Sequence, residues 1–163
     1  MFHWLMFKFL LAVKALYAIF TAPLEPPQIW AEPIPYFLEN QMGNYVVPHT
    51  ERGPGHRGMD FVIVNQQILA PTNGIVSFND KVVDRNVVTV TSRRYKISFE
   101  PACGELKAGT EVLAGEVLGG YCPAESGYEE HCEKCVHMSV RSARGYLNPL
   151  LFFGQLTPSK IVG

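Results

Sequence analysis

His56 and Asp60 stand four positions apart in "GPGHRGMDF", residues 53–61, with Gly58 between them and the apolar run "FVIV" behind. An imidazole and a carboxylate at this spacing make half of a transition-metal site, because zinc accepts nitrogen and carboxylate oxygen together. The same stretch also reads as a turn before a strand, since turns favour Gly and Asp. A third ligand decides between the two. "CVHMSVR", residues 135–141, has the pattern of a strand, so Cys135, His137 and Ser139 share one face. If that face meets His56 and Asp60, two imidazoles and one carboxylate converge and leave a fourth place for water. The expected cofactor is Zn2+, held by His56, Asp60 and His137.

Ligands so far apart in the chain need a scaffold to bring them together. "DFVIV", "QILA", "GIVSFN", "NVVTVTS", "YKISFE", "EVLAGEVLGG" and "VHMSVRS" are rich in β-branched and aromatic residues and are punctuated by Gly, Asn, Asp and Pro. No stretch after residue 37 carries a helical stripe with caps. The pattern predicts a mainly β, single antiparallel β-sheet domain over residues 44–154, followed by a tail at 155–163. Residues 23–43 read as an extended linker, because "PLEPPQIWAEPIPY" carries five prolines and proline fixes φ and donates no backbone hydrogen bond. "CPAESGYEEHCEK", residues 122–134, reads as an acidic surface loop stapled by cysteine.

Residues 1–22 are almost wholly apolar, broken by His3, Lys8 and Lys14. They read as a signal peptide or a retained membrane anchor, which places the domain outside the cytoplasm, secreted or on the cell surface. Four cysteines suit an exported chain and permit three complete pairings. A net charge of -1 with scattered basic residues excludes a nucleic-acid footprint, and "SRRYK" at 92–96 reads as a solvated strand edge.

Taken in order, these segments resemble the M23 peptidases, the lysostaphin-like zinc endopeptidases that cut peptide bridges in bacterial cell walls. "GHRGMD" is similar to the family's His-x-x-x-Asp element and "ILAPTNGIVSF" to the strand–turn–strand after it. "LKAGTEVLAGEVLGG" resembles the late Gly-punctuated hairpin, and "VHMSVRSARGYLNPLLFF" the closing His strand with its Asn-Pro end. That hairpin also occurs in carrier barrels, but the lysine turn of those barrels is missing. The resemblance spans about residues 54–153. It implies a duplicated-hybrid-motif-like β fold, zinc on His56, Asp60 and His137, and a groove for peptidoglycan peptides.

Two departures bear on activity. Active members carry His-x-His in the closing strand, where this chain has Cys135, and a further catalytic His where "SFEPA" has Pro101. The "EP" and Cys-x-His combination resembles an actinobacterial subgroup of the family. Glu100 is then the general-base candidate by type, and His49 and His131 could approach from loops. Cys135 has three readings: a disulfide with Cys132 or Cys122, a free thiol, or a fourth zinc ligand. A disulfide is preferred in an exported chain, and no βαβ pattern supports a redox role for the CxxC. The leading expectation is a zinc metalloendopeptidase acting on cross-bridges. The alternative is a catalytically silent module that binds cell wall or regulates a wall hydrolase.

Overall fold

The computed structural model describes residues 29–50, 53–63, 67–123 and 134–155. Eleven strands follow one another: β1 (Gln41–Gly43), β2 (Gly58–Val62), β3 (Gln67–Leu69), β4 (Gly74–Val82), β5 (Arg85–Ser92), β6 (Tyr95–Glu100), β7 (Ala102–Cys103), β8 (Glu111–Val112), β9 (Val117–Tyr121), β10 (Cys135–Ser142) and β11 (Gly145–Leu147). Every pairing between them is antiparallel. The main sheet has the order β1-β2-β10-β6-β5-β4-β8 with β11 paired to β10, and β3-β9-β7 forms a second, smaller sheet. The fold is mainly β, as the strand pattern predicts, although it uses two sheets. "EVLAGEVLGG" divides between them: β8 joins β4 and β9 joins β3 and β7.

Strict alternation in the central strands explains the two faces of the main sheet. Val88, Val90, Ile97, Phe99, Val136, Met138 and Val140 are buried on one side together with Met59 and Phe61 of β2. The intervening residues Thr89, Ser98, His137, Ser139 and Arg141 therefore project from the other side. A one-residue slip of β10 would send His137 into the core, so burial of Val136 and Met138 fixes the register of the site.

The apolar face is covered by segments that the sequence pattern places outside the domain. Trp30, Ile34 and Phe37 are buried. Trp30 stacks on Phe152 with ring centroids 4.0 Å apart, and Phe37 packs against Phe61 and Phe153. The backbone is tied in as well: Trp30 N donates to Phe152 O at 2.7 Å, and Leu69 N donates to Pro33 O at 2.8 Å. From residue 29 onward the expected linker 23–43 is thus packed domain, ending in β1 on the sheet. Proline supplies carbonyl acceptors here without needing partners for an N–H. Phe152 lies in a 3-10 helix, Pro149–Phe152, capped by Asn148 through its side-chain oxygen on Leu150 N.

"SRRYK" is a hairpin connection, with Arg93 at φ 52 between β5 and β6. Residues 1–22, most of the 122–134 loop and the 156–163 end lie outside the described residues. Among the described residues no helix is long and apolar enough to cross a membrane.

Candidate metal centre

Four residues form one transverse row across four strands. Gly43 of β1 pairs with Asp60 of β2, Asp60 with His137 of β10, and His137 with Glu100 of β6. His56 precedes β2 and is fixed by a two-bond bridge to Val46, His56 N to Val46 O at 3.0 Å and Val46 N to His56 O at 2.8 Å. The result is a tight cluster. His137 Nδ1 stands 2.7 Å from Asp60 Oδ1, and His56 Nε2 stands 3.1 Å from both Asp60 Oδ2 and His137 Nδ1. The His56 and His137 side chains keep 22% and 17% of their exposure, whereas that of Asp60 keeps 9%. The cluster therefore opens outward through its imidazoles.

These residues fit a zinc ion. A tetrahedral ion with bonds of about 2.0–2.1 Å sets its ligand atoms about 3.3 Å apart, close to the separations from His56 Nε2. The donor set is two nitrogens and one carboxylate, and among the described residues no other group of His, Cys, Asp and Glu side chains is arranged to hold a metal. His56 Nδ1 lies 2.6 Å from the carbonyl oxygen of Asn44. A carbonyl only accepts, so the proton sits on Nδ1 and the Nε2 lone pair faces the cluster, the usual second-sphere arrangement around a ligating histidine.

Two glycines keep the space clear. A Cβ on Gly43 would lie 2.7 Å from Asp60 Oδ2 and 3.1 Å from His56 Cε1. A Cβ on Gly58 would run into the backbone carbonyl of Met138 and lie 2.5 Å from His137 Nε2. Gly58 therefore belongs to a strand, opposite Ser139, and its missing side chain is the slot for the His137 ring. Burial acts to raise the Asp60 carboxyl, but the hydrogen bond from His137 and the charge of both imidazoles outweigh it and hold the group below its ordinary value.

The remaining sequence candidates are distributed as follows. Glu100 is the register partner of His137, yet its Oε2 accepts from Arg85 Nε at 3.0 Å, and Arg85 also pairs with Asp84. Cys122 is bonded to Cys103, which removes it as a partner for Cys135. Cys135 is itself disulfide-bonded, so it has no thiolate to offer a metal. Cys132 and His131 lie outside the described residues. His49 lines a separate cleft with Tyr45, Arg57 and Tyr146. Pro101 is buried at the position where the resemblance would place a second catalytic histidine. Sequence reasoning missed Asn44 and Gly43, since one acts through its carbonyl and the other through an absent side chain. It also missed Arg85, whose partnership needs the β5–β6 pairing to be known.

No family model and no curated protein matches the chain. Solved structures do. Helicobacter pylori Csd3 aligns at TM-score 0.60 and 18% identity over 83% of this chain. The chain spans only 37% of the length of Csd3. The SpoIIQ–SpoIIIAH pore forming complex contains a chain aligned at TM-score 0.62 and 18% identity, covering 80% of this chain and 94% of that one. The catalytic domain of the prophage-encoded M23 protein EnpA from Enterococcus faecalis, in a mutant form, aligns at TM-score 0.54 and 17% identity over 75% of this chain and 93% of its own. At such identities the likeness defines the fold: this is a β domain of the architecture seen in M23 proteins.

Proposed function

We propose that the chain is an extracytoplasmic, M23-type zinc metalloendopeptidase acting on peptidoglycan cross-bridges or related wall peptides. The observation that carries this reading is the open coordination set. Three protein ligands converge, the fourth candidate Cys135 is withdrawn into a disulfide, and the imidazoles remain accessible. Closed four-ligand zinc sites are structural, whereas three-ligand sites leave a position for chemistry. A zinc ion held there supplies Lewis-acid polarisation of a peptide carbonyl and acidification of water.

The chain's own residues divide the remaining work. Asp60, bridging toward both imidazoles, fixes the ligand geometry. Asn44, through its carbonyl, sets the His56 tautomer. The polar face of the sheet beside His137, with Ser98, Ser139 and Thr89, floors a groove for an extended peptide. Glu100, the register partner of His137 on the neighbouring strand and on the same face, is the residue assigned to accept the proton, with Arg85 orienting its carboxylate.

A second reading has its own support. Pro101 and the bridged Cys135 stand where histidines act in the M23 proteins that the sequence resembles, and Glu100 is engaged by Arg85. That combination favours a module that binds wall peptide, or a wall hydrolase, without turnover. The test is zinc content of the purified chain together with hydrolysis of cross-linked muropeptides, with and without chelator. Chelator-sensitive cleavage lost in His137→Ala supports the enzyme. Stoichiometric zinc without cleavage across several wall types transfers the assignment to the binding module.

A further inference from the structure

A second recess lies further along the same sheet face. It has a volume of about 420 Å³ and is walled by Tyr45, Arg57, Arg141, Arg144 and Tyr146. Among the described residues that line it none is acidic, although the whole chain carries a net charge of -1. A smaller depression shares Arg141 and Tyr146 with it and adds Lys96, again with no acidic residue. Positive charge is therefore gathered at one place on a nearly neutral chain, in a concave setting that focuses the field.

The guanidinium groups are arranged, not merely close. Arg57 and Arg141 both lie over the Tyr146 ring, 5.9 Å and 5.7 Å from its centroid. Arg57 donates to Gly53 O at 3.0 Å, and Tyr45 Oη donates to Tyr146 O at 3.1 Å, which joins the two walls. Arg144 stands in the two-residue turn between β10 and β11, where its backbone N–H donates to Ser142 Oγ. Stacking on the Tyr146 face orients the planar fork of Arg141, the geometry that suits a carboxylate.

The recess has a fixed relation to the metal centre. Arg57 follows His56 directly, and Tyr45 follows Asn44. Arg141 shares the face of His137 on β10 and lies four residues away, about 13 Å at strand rise. An extended peptide with one carbonyl at the metal centre would present, at that distance, a group about four residues from the reacting bond.

We propose that this arginine recess is a carboxylate-binding subsite, which selects wall peptides bearing an acidic side chain or a free C-terminal carboxylate about four residues from the bond at the metal. The inference deepens the peptide-binding reading above and rests on it. Three labelled peptides of one length test it by fluorescence anisotropy on the full chain loaded with zinc. The first has an internal glutamate and an amidated end, the second glutamine and a free end, and the third glutamine and an amidated end. At least one carboxylate peptide should bind about tenfold tighter than the neutral one at low salt, and the preference should shrink as salt rises. Which of the two wins identifies the source of the carboxylate. Arg144→Ala should reduce the ratio toward one while zinc content is unchanged. Equal affinity for all three peptides overturns the subsite and leaves the metalloprotein reading standing. Tighter binding of polyphosphate than of either carboxylate peptide overturns it in favour of an anionic wall polymer. Failure of the zinc-loaded chain to bind any of the peptides overturns both the subsite and the peptide reading.

Discussion

Asp60 Oδ1 and His137 Nδ1 stand 2.7 Å apart across the β2–β10 ladder, and the two residues are direct register partners. Their spacing is set by main-chain pairing between two interior strands of the sheet. Residues on such strands keep their geometry better than residues on loops. His56 is held more lightly, by a bridge to Val46 and by the Asn44 carbonyl. The candidate centre thus has two of its three side chains on a rigid frame and one on its edge.

Removing Asp60 tests the frame. Asp60→Asn should lower zinc affinity by more than about 100-fold, since on the proposed reading it alters a direct ligand, where even second-sphere losses cost about 10–100-fold. The metal-free protein should also change its pH response. The folded carboxyl lies below its ordinary value of 3.8, so its contribution to stability is fully present above that value and lost as pH falls through the lowered one. Urea unfolding in chelator, from neutral pH into strong acid, should show this portion of the acid limb flattened in the variant. An unchanged acid limb would mean that the imidazoles do not hold the carboxylate in its ionised form.

Gly43→Ala tests the room left for the ligands. The added Cβ falls 2.7 Å from Asp60 Oδ2 and must displace the carboxylate or β1. Zinc affinity should fall about 10–100-fold, the range seen when the support of a ligand is disturbed. The zinc-dependent rise in melting temperature should shrink accordingly, while the chelated variant melts near the parent. Equal titrations of variant and parent would show that Gly43 has no part in shaping the centre.

Much of this was legible in the sequence, for reasons that separate ligand from support. His56, Asp60 and His137 are the side chains expected as ligands in a chain with few histidines, the structure brings them together, and the alternation of β10 tells which of its residues share a face. Gly58 was visible too, but as a turn residue, because the His137 ring that needs the space comes from residues far away. Asn44 acts through a carbonyl that every residue possesses, so no residue type could reveal it. The stretch at 29–43 misled for a different cause. Its prolines argue locally for an extended linker, and only the tertiary structure shows Trp30, Ile34 and Phe37 filling the sheet's apolar face.

Glu100 is paired with Arg85, and the proposed reaction assigns it the proton transfer. If Glu100 accepts the proton, Glu100→Gln should reduce kcat by about 10²–10⁴-fold with zinc content intact. The isosteric amide keeps a hydrogen-bond acceptor near Arg85 and loses the base together with the charge that pairs with Arg85. Muropeptide turnover beside metal analysis of the same samples checks this. Activity that survives with normal zinc assigns the proton transfer to another group and makes Glu100 a partner of Arg85 alone.

The packing of Trp30 bears on where the domain begins. Trp30 is 6% exposed, its ring stacks on Phe152 and lies edge-on to Phe153, and its backbone N–H donates to the Phe152 carbonyl. Trp30→Ala should cost about 3–5 kcal/mol, the range for removing a large buried aromatic side chain. A version starting at residue 44 should fare worse, because it also loses Ile34, Phe37 and the β1 edge beside Asp60. Thermal melting of the parent chain, Trp30→Ala and the shortened form gives the comparison. Stepwise loss of stability, with zinc affinity falling in the shortened form, is expected if residues 29–43 are core. Melting temperatures indistinguishable among the three would return the segment to the status of linker and remove β1 from the support of the metal centre.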